Sequence, residues 1–151
     1  MFSKQKAYEF IRAHRFAVIS TINEDGTPEA ALIGIAITPK FELIFDTINV
    51  TRKCLNLRRD PHAAFVIGWS GDFLQHCGGY ETLQYQGLAD ELKEPDLDQL
   101  LEVYLATHPE GLRRQGWPGL TYFRVRPLWL RVSNYYRPQH VEEIRFGTVT
   151  V

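Results

Sequence analysis

Little in this sequence points to a secreted or membrane-spanning protein. The 151 residues include only two cysteines, Cys54 and Cys77, too few for a disulfide framework, which favours a reducing compartment. The first turns of the chain, MFSKQKAYEFIRAH, carry charges throughout and lack the apolar core of a signal peptide. No apolar run approaches the ~20 residues of a membrane span. These absences predict a cytoplasmic protein with no membrane segment.

An excess of charge of one sign is also missing. The 17 Lys and Arg residues nearly balance the 18 Asp and Glu residues, which leaves a formal net charge of -1. Without a global basic field, the composition argues against nucleic acid or anionic lipid as a partner. The hydrophobic fraction of 44% is enough for a packed core, so we expect one domain over residues 1–151.

What the sequence does contain is a series of short apolar strands separated by turn residues. Asp25-Gly26 and Pro28 separate strands 16–22 and 29–37, which are expected to pair as a hairpin. The other predicted strands are 41–47, 62–69, 80–92 with a bulge near Gly87, two strands within 120–136 broken near Pro127, and an edge strand at 145–151. Helical spacing predicts helices over 4–14, from Val50 to Asp60 and from Pro95 to Leu105. The short turns favour an antiparallel β-barrel with peripheral helices over a parallel sheet.

The stretch TRKCLNLRRDP, residues 51–61, has the features of a helix whose first turn binds an anion. Thr51 offers a hydroxyl, Arg52 a two-pronged donor and Lys53 a point charge. These side chains would stand beside the unpaired N–H groups at the positive end of a helix dipole. The pattern predicts a site for one phosphate group, and the alternative is an ordinary solvated first turn.

The wider stretch FDTINVTRKCLNLRRDPHAAFVIGW, residues 45–69, resembles the signature of the pyridoxamine-phosphate-oxidase-like, FMN-binding split-barrel family. The matching residues are Thr47, Thr51, Arg52, Lys53, Pro61 and Trp69. The opening hairpin and the strand QYQGLADEL resemble the flanking elements of the family, so the resemblance covers most of the chain. It implies a mainly β, six-stranded antiparallel Greek-key split barrel that forms a homodimer, with FMN in the groove between the subunits.

The resemblance also implies which residues bind the cofactor. The expected set is Asp46, Thr47, Thr51, Arg52, Lys53 and Thr82. The TRK tripeptide would hold the FMN phosphate, whereas Asp46 and Thr47 would contact the flavin mainly through their backbone. Thr82 stands where the family has a cofactor-contacting Gln, and its side chain is shorter.

The chain departs from the oxidase pattern at two positions where oxidase members carry Arg and Lys. Those positions hold Ala31 and Ala36. The first change would weaken FMN binding or shift its support elsewhere, and the second argues against a phosphorylated vitamin B6 substrate. The C-terminal Trp and the Arg-x-His-x-Arg element of the oxidase also have no counterpart. We therefore expect a relative of the oxidase rather than the oxidase itself.

One stretch on the substrate side also resembles the family. In VYLATHP, Tyr104 matches a family Tyr that binds substrate phosphate, and His108 stands in place of an Arg. Histidine can bind an anion or transfer a proton near neutral pH. The alternative is that Tyr104 packs in the core and His108 only ends the helix. No side chain stands out as the acid or base of a reaction, so the catalytic residue is left unassigned.

Other reactive side chains give weaker signals. His76 and Cys77 lie in the glycine-bearing loop 70–79, but a metal site needs three or four ligands and no second cluster has suitable spacing, so no metal is predicted. The loop either overhangs the cofactor groove or is a flexible connection with an incidental thiol. Arg113 and Arg114 either meet an anionic substrate or lie in a solvated loop.

These observations lead to three hypotheses. The first is an FMN-dependent oxidoreductase acting on a small molecule in the dimer cleft. The second is a flavin carrier, a redox sensor or a haem-binding relative without turnover. The third keeps the barrel and replaces FMN with a deazaflavin cofactor.

Overall fold

The computed structural model describes residues 3–69, 81–134 and 140–147. The helices among them are α1 (Lys4–Arg12), α2 (Arg52–Arg59), α3 (Asp96–Thr107) and a 3₁₀ helix (Pro109–Arg114). The strands are β1 (Phe16–Ile22), β2 (Pro28–Gly34), β3 (Ala36–Ile37), β4 (Leu43–Ile48), β5 (His62–Trp69), β6 (Glu81–Glu91), β7 (Leu120–Asn134) and β8 (His140–Arg145). Strands therefore dominate the described part of the chain, as predicted.

The eight described strands form one antiparallel sheet in the order β2-β1-β5-β6-β7-β4-β3, and β8 pairs with β7. Strand β7 joins the parts of the sheet because it pairs with β6 along most of its length, with β4 at its start and with β8 at its end. The sheet curls into a half-barrel with the helices around it. The predicted class, an antiparallel split barrel with peripheral helices, is confirmed.

The strand count differs from the six that the resemblance implies. The predicted strand 29–37 divides at Ile35, where the chain leaves β1 as its partner and β3 begins to pair with β4. The Ile35 N–H still donates to the Arg15 carbonyl at 2.9 Å, on the β1 side, and Ala36 is the first residue that pairs with β4. Of the predicted edge strand 145–151, Arg145 ends β8 and residues 146–147 are not in a strand, whereas residues 148–151 lie outside the described part.

The predicted break near Pro127 is wrong, because β7 runs without interruption from Leu120 to Asn134. Pro127 lies opposite Gly87, where the register between β6 and β7 shifts. A bulge accommodates a residue that has no N–H to offer the ladder. The bulge near Gly87 is therefore confirmed, and it replaces the expected strand break.

Two apolar clusters hold the sheet and helices together. The larger one fills the barrel interior, and the smaller one packs α3 against β3 and β4. Side chains alternate along β4, so Phe45 enters the larger cluster and Ile44 the smaller one. Tyr104, on α3, belongs to the smaller cluster and is thereby fixed beside β4. The packing of α3 thus decides where Tyr104 lies relative to the predicted cofactor residues.

Candidate functional site

Helix α2 begins at the end of β4 with no side-chain cap on its first turn. Thr51 instead donates its hydroxyl to the Ile48 carbonyl at 2.8 Å and accepts the Thr47 hydroxyl at 2.8 Å. The first-turn N–H groups therefore stay available at the positive end of the helix dipole. Within the described residues Lys53 forms no hydrogen bond or ion pair, and Arg52 is exposed. The helix start presents donors for one anion. These donors are the backbone N–H groups and the two cations more than the Thr51 hydroxyl.

A groove of about 320 Å³ extends from this helix start toward α3 and the 3₁₀ helix. Phe16, Leu32 and Ile33 line it with apolar side chains. The predicted site residues that also line it are Asp46, Thr47, Thr51, Lys53, Tyr104 and His108. Its volume lies at the lower end of the ~300–1,000 Å³ typical of ligand pockets. The fold thus brings most of the predicted site together, in a groove that is small for one chain alone.

Two predicted cofactor residues do not line this groove. Arg52 is exposed and lies next to it in sequence, between Thr51 and Lys53. Thr82 lies near the start of β6, where it pairs with Ser133 of β7. Its contact with a cofactor stays a prediction, because Thr82 does not line the groove of a single chain.

Asp46 forms a closed network with two groove residues from other elements. The Tyr104 hydroxyl donates to Oδ1 of Asp46 at 2.9 Å, and Nε of Arg114 donates to Oδ2 at 2.9 Å. Nη2 of Arg114 also donates to the Tyr104 hydroxyl at 3.0 Å. Burial, together with the charge of Asp46, raises the pKa of Tyr104, so its hydroxyl stays protonated. The network ties β4, α3 and the 3₁₀ helix into one wall of the groove.

The two predicted substrate residues, Tyr104 and His108, lie in this wall and are each only 1% exposed. Their rings stack with centroids 4.9 Å apart. Nε2 of His108 lies 2.9 Å from the Ile35 carbonyl, and Nδ1 lies 3.1 Å from Oε1 of Glu110. All polar side-chain atoms of both residues have protein partners. This arrangement favours a packing role, and direct contact with substrate stays a prediction.

Sequence reasoning missed two residues of the groove and left a third open. Gly34 was not singled out, yet a Cβ there would lie 2.9 Å from Cε1 of His108, so glycine lets β2 approach that ring. Glu110 was also missed; it accepts from Arg15 at 2.6 Å, and its own N–H and the His108 ring hold its pKa below the usual range. Arg114 was left open as a loop residue. The run PEGLRR after α3 indicated charged side chains, but it did not reveal which residues Glu110 and Arg114 contact.

Ala31 and Ala36 both have packing roles. Ala31 packs against the barrel cluster, and Ala36 belongs to the smaller cluster with 3% exposure. Neither residue lines the groove. Their small apolar side chains are therefore explained by the core, and the structure gives no sign that either replaces a cation of the anion site.

The remaining sequence candidates add no second site. Cys54 is fully buried in α2, and burial raises the pKa of its thiol, so it behaves as a core residue. His76 and Cys77 lie outside the described residues. In the described ranges, no three His, Cys, Asp or Glu side chains are grouped as metal ligands. None of the described helices has the length and apolar character needed to cross a membrane.

Comparison with known families identifies the family of this chain. The sequence profile of a family described as pyridoxamine 5'-phosphate oxidase matches residues 3–134, a range that includes the whole groove. The chain belongs to the pyridoxamine 5'-phosphate oxidase family. No curated protein matches it.

Solved structures show the same oxidase-family fold at low sequence identity. A haem-binding protein from Mycobacterium smegmatis has a TM-score of 0.80 and 14% identity, over 95% of this chain and 58% of that one. This chain therefore spans less than two thirds of that relative. General Stress Protein 26 from Bacillus anthracis has a TM-score of 0.71 and 19% identity, over 97% and 100% of the two chains. The haem storage protein HutZ from Vibrio cholerae has a TM-score of 0.64 and 14% identity, over 82% and 89%.

Proposed function

We propose that the protein is an FMN-binding oxidoreductase that acts on a small molecule in a cleft between two subunits. The observation that carries this proposal is the uncapped start of α2, with Lys53 unpaired among the described residues, at one end of a partly apolar groove. Such a start binds phosphate readily. FMN fits the donor set because it carries one phosphomonoester, and the side chains of Phe16 and Leu32 suit a flat ring. Membership of the oxidase family supports the same cofactor.

In this proposal the chain binds and orients the reactants and excludes water. Bound FMN would supply the hydride or electron transfer. Lys53 and the first-turn N–H groups of α2 would hold its phosphate, and Arg52 would add charge at the rim. No groove side chain is assigned as an acid or base, since the polar atoms of Tyr104 and His108 already have protein partners.

A second copy of the chain is the proposed partner. The outer face of β1, β2 and β5 carries an apolar patch of Phe16, Val18, Leu32 and Val66, which are 38–72% exposed. Val18 lies directly opposite both Leu32 and Val66 in the neighbouring strands, so the patch is continuous. Phe16 and Leu32 also line the groove. A patch that continues into a small ligand groove fits a two-fold interface whose partner completes the cleft.

The dimer is tested with Leu32→Glu, because a two-fold interface would bury two such charges in an apolar environment. We expect the wild type to be a dimer in sedimentation velocity experiments and Leu32→Glu to be a monomer at the same concentration. The control is Leu55→Glu, which places the same charge on an exposed residue of α2 outside the patch. A monomeric wild type, or a Leu32→Glu variant that stays dimeric, would contradict the interface.

The cofactor is tested by the absorbance spectrum of purified protein after FMN is added and the excess is removed by desalting. We expect two flavin bands to remain with the protein, and the flavin to be reduced when a substrate is found under anaerobic conditions. Loss of all flavin on desalting would argue against the proposal. A band that lies to the blue of FMN would favour a deazaflavin.

Haem is the second candidate cofactor, and His14 is the candidate ligand of its iron. Its Nδ1 lies 2.6 Å from the Phe10 carbonyl, so Nδ1 donates to that oxygen and Nε2 is the ring nitrogen that a metal would use. Within the described residues Nε2 forms no hydrogen bond, and the ring lines a depression over the apolar patch. A Soret band that forms with ferric haem in flavin-free protein, and is lost in His14→Ala, would favour this candidate over FMN.

A further inference from the structure

The wall of the groove made by β4, α3 and the 3₁₀ helix contains an arginine whose charge is cancelled within the wall. Nη2 of Arg114 lies 2.8 Å from Oδ2 of Asp46, and the two side chains are only 28% and 14% exposed. Beside them Nη2 of Arg15 lies 2.6 Å from Oε1 of Glu110. Each of the two arginines is thus paired with a carboxylate, Arg114 with Asp46 inside the wall and Arg15 with Glu110 beside it.

Lys53 differs from these arginines. It lines the same groove, and within the described chain no carboxylate lies within ion-pair distance of it. In the proposed function the cofactor phosphate neutralises Lys53. A second anion would then enter a groove lined by Asp46 and Glu110, in which no Lys or Arg among the described lining residues is left to compensate its desolvation. The apolar side chains of the lining, among them Phe16 and Leu32, favour contact with an apolar ligand surface.

We propose that the substrate sharing this groove with the cofactor is an uncharged small molecule, and that Asp46 determines this specificity by holding Arg114 in an ion pair. The inference rests on the proposed function, since it assigns the Lys53 end of the groove to the cofactor phosphate. Asp46 acts through Arg114 and is a specificity-determining residue. Without its carboxylate, the Arg114 guanidinium would be a ready partner for a carboxylate or phosphate on a substrate.

The test compares two ligands of nearly equal shape that differ by one charge, 2-naphthamide and 2-naphthoate. Their affinities are measured by isothermal titration calorimetry on the FMN-treated protein in phosphate buffer, so that an anion is supplied to the Lys53 end whether or not flavin is retained. We expect wild type to bind the amide at least about ten-fold more tightly than the carboxylate. Asp46→Asn should shift this ratio toward the carboxylate by about ten-fold or more, because Arg114 is released.

The matched control is Asp98→Asn, which removes the same charge from an exposed position on α3 and should leave the ratio unchanged. If Asp46→Asn does not fold, Glu110→Gln serves as the second variant, because it removes the other carboxylate of the groove and releases Arg15 beside it. Its effect should have the same direction and be smaller, since Arg15 is 47% exposed and already meets solvent.

Four outcomes overturn the proposal: equal or tighter binding of the carboxylate by wild type, no measurable binding of either ligand, an unchanged ratio in the folded variant, or the same shift in Asp98→Asn. The flavin absorbance of each sample separates this result from the cofactor assignment. Protein that retains no flavin but shows the amide preference, and its loss in Asp46→Asn, would support the charge argument and reject FMN. Protein that retains flavin but prefers the carboxylate would support FMN as the cofactor and reject the charge argument.

Discussion

Replacing both Arg52 and Lys53 with alanine is expected to weaken FMN binding by about 100-fold or more, because charge-assisted hydrogen bonds contribute ~1.5–3 kcal/mol each. The measurement is an equilibrium titration of flavin fluorescence against protein. The single variants should divide this loss unequally. Lys53→Ala should account for most of it because Lys53 lines the groove, whereas Arg52 is exposed outside the lining.

The same double variant should keep its fold. Neither side chain has a hydrogen bond or ion pair within the described residues, and substitutions of this kind change stability by about 0.5 kcal/mol or less. The control is Lys6→Ala with Lys93→Ala, which removes two positive charges from exposed positions on other parts of the chain. Equal FMN affinity in the two double variants would reject the phosphate site at the start of α2.

Gly87→Ala should lower the free energy of unfolding by about 3 kcal/mol, the range of a severe steric substitution. A Cβ at Gly87 would collide with the Arg126 carbonyl oxygen and lie 2.7 Å from Cγ1 of Val125. A backbone oxygen cannot move aside as the end of a side chain can. The bulge between β6 and β7 would have to open, and this pairing holds the middle of the sheet. Urea unfolding followed by circular dichroism measures the loss.

The matched control for this substitution is Gly147→Ala. A Cβ there meets no atom within 4 Å, so the change adds a methyl group in open space. We expect its free energy of unfolding to lie within about 0.5 kcal/mol of the wild type. If the two alanine variants were equally stable, the close approach at Gly87 would not be what fixes the bulge.

Local chemistry was enough to predict several elements from sequence. Gly26 has a φ of +83° in the turn that Asp25-Gly26 predicted, and Ser3 accepts the Lys6 N–H at the start of α1. Strand β5 has the predicted bounds, 62–69, between Pro61 and the following glycine-bearing stretch. In each case the signal lies within a few residues of the structure it specifies, so no distant contact is needed.

Elements that depend on distant partners were predicted less well. Nothing within 29–37 marks Ile35 as the point where the chain changes partner, because the change depends on where β1 and β4 lie. Likewise Pro127 reads as a strand break by itself. It becomes part of a continuous strand only because Gly87 of β6 lies opposite and permits the bulge.

The sequence by itself determined the family fold and the hydroxyl and two cations at the start of α2, since both depend on short-range pattern and on residue chemistry. Tertiary structure alone decided what surrounds that stretch. It brought Asp46 to Tyr104 and Arg114, 58 and 68 positions away, and so cancelled the charge of an arginine that sequence left open as an anion ligand. The pairing of charges depends on which side chains the packing of α3 places within hydrogen-bond distance, and no local pattern encodes that distance.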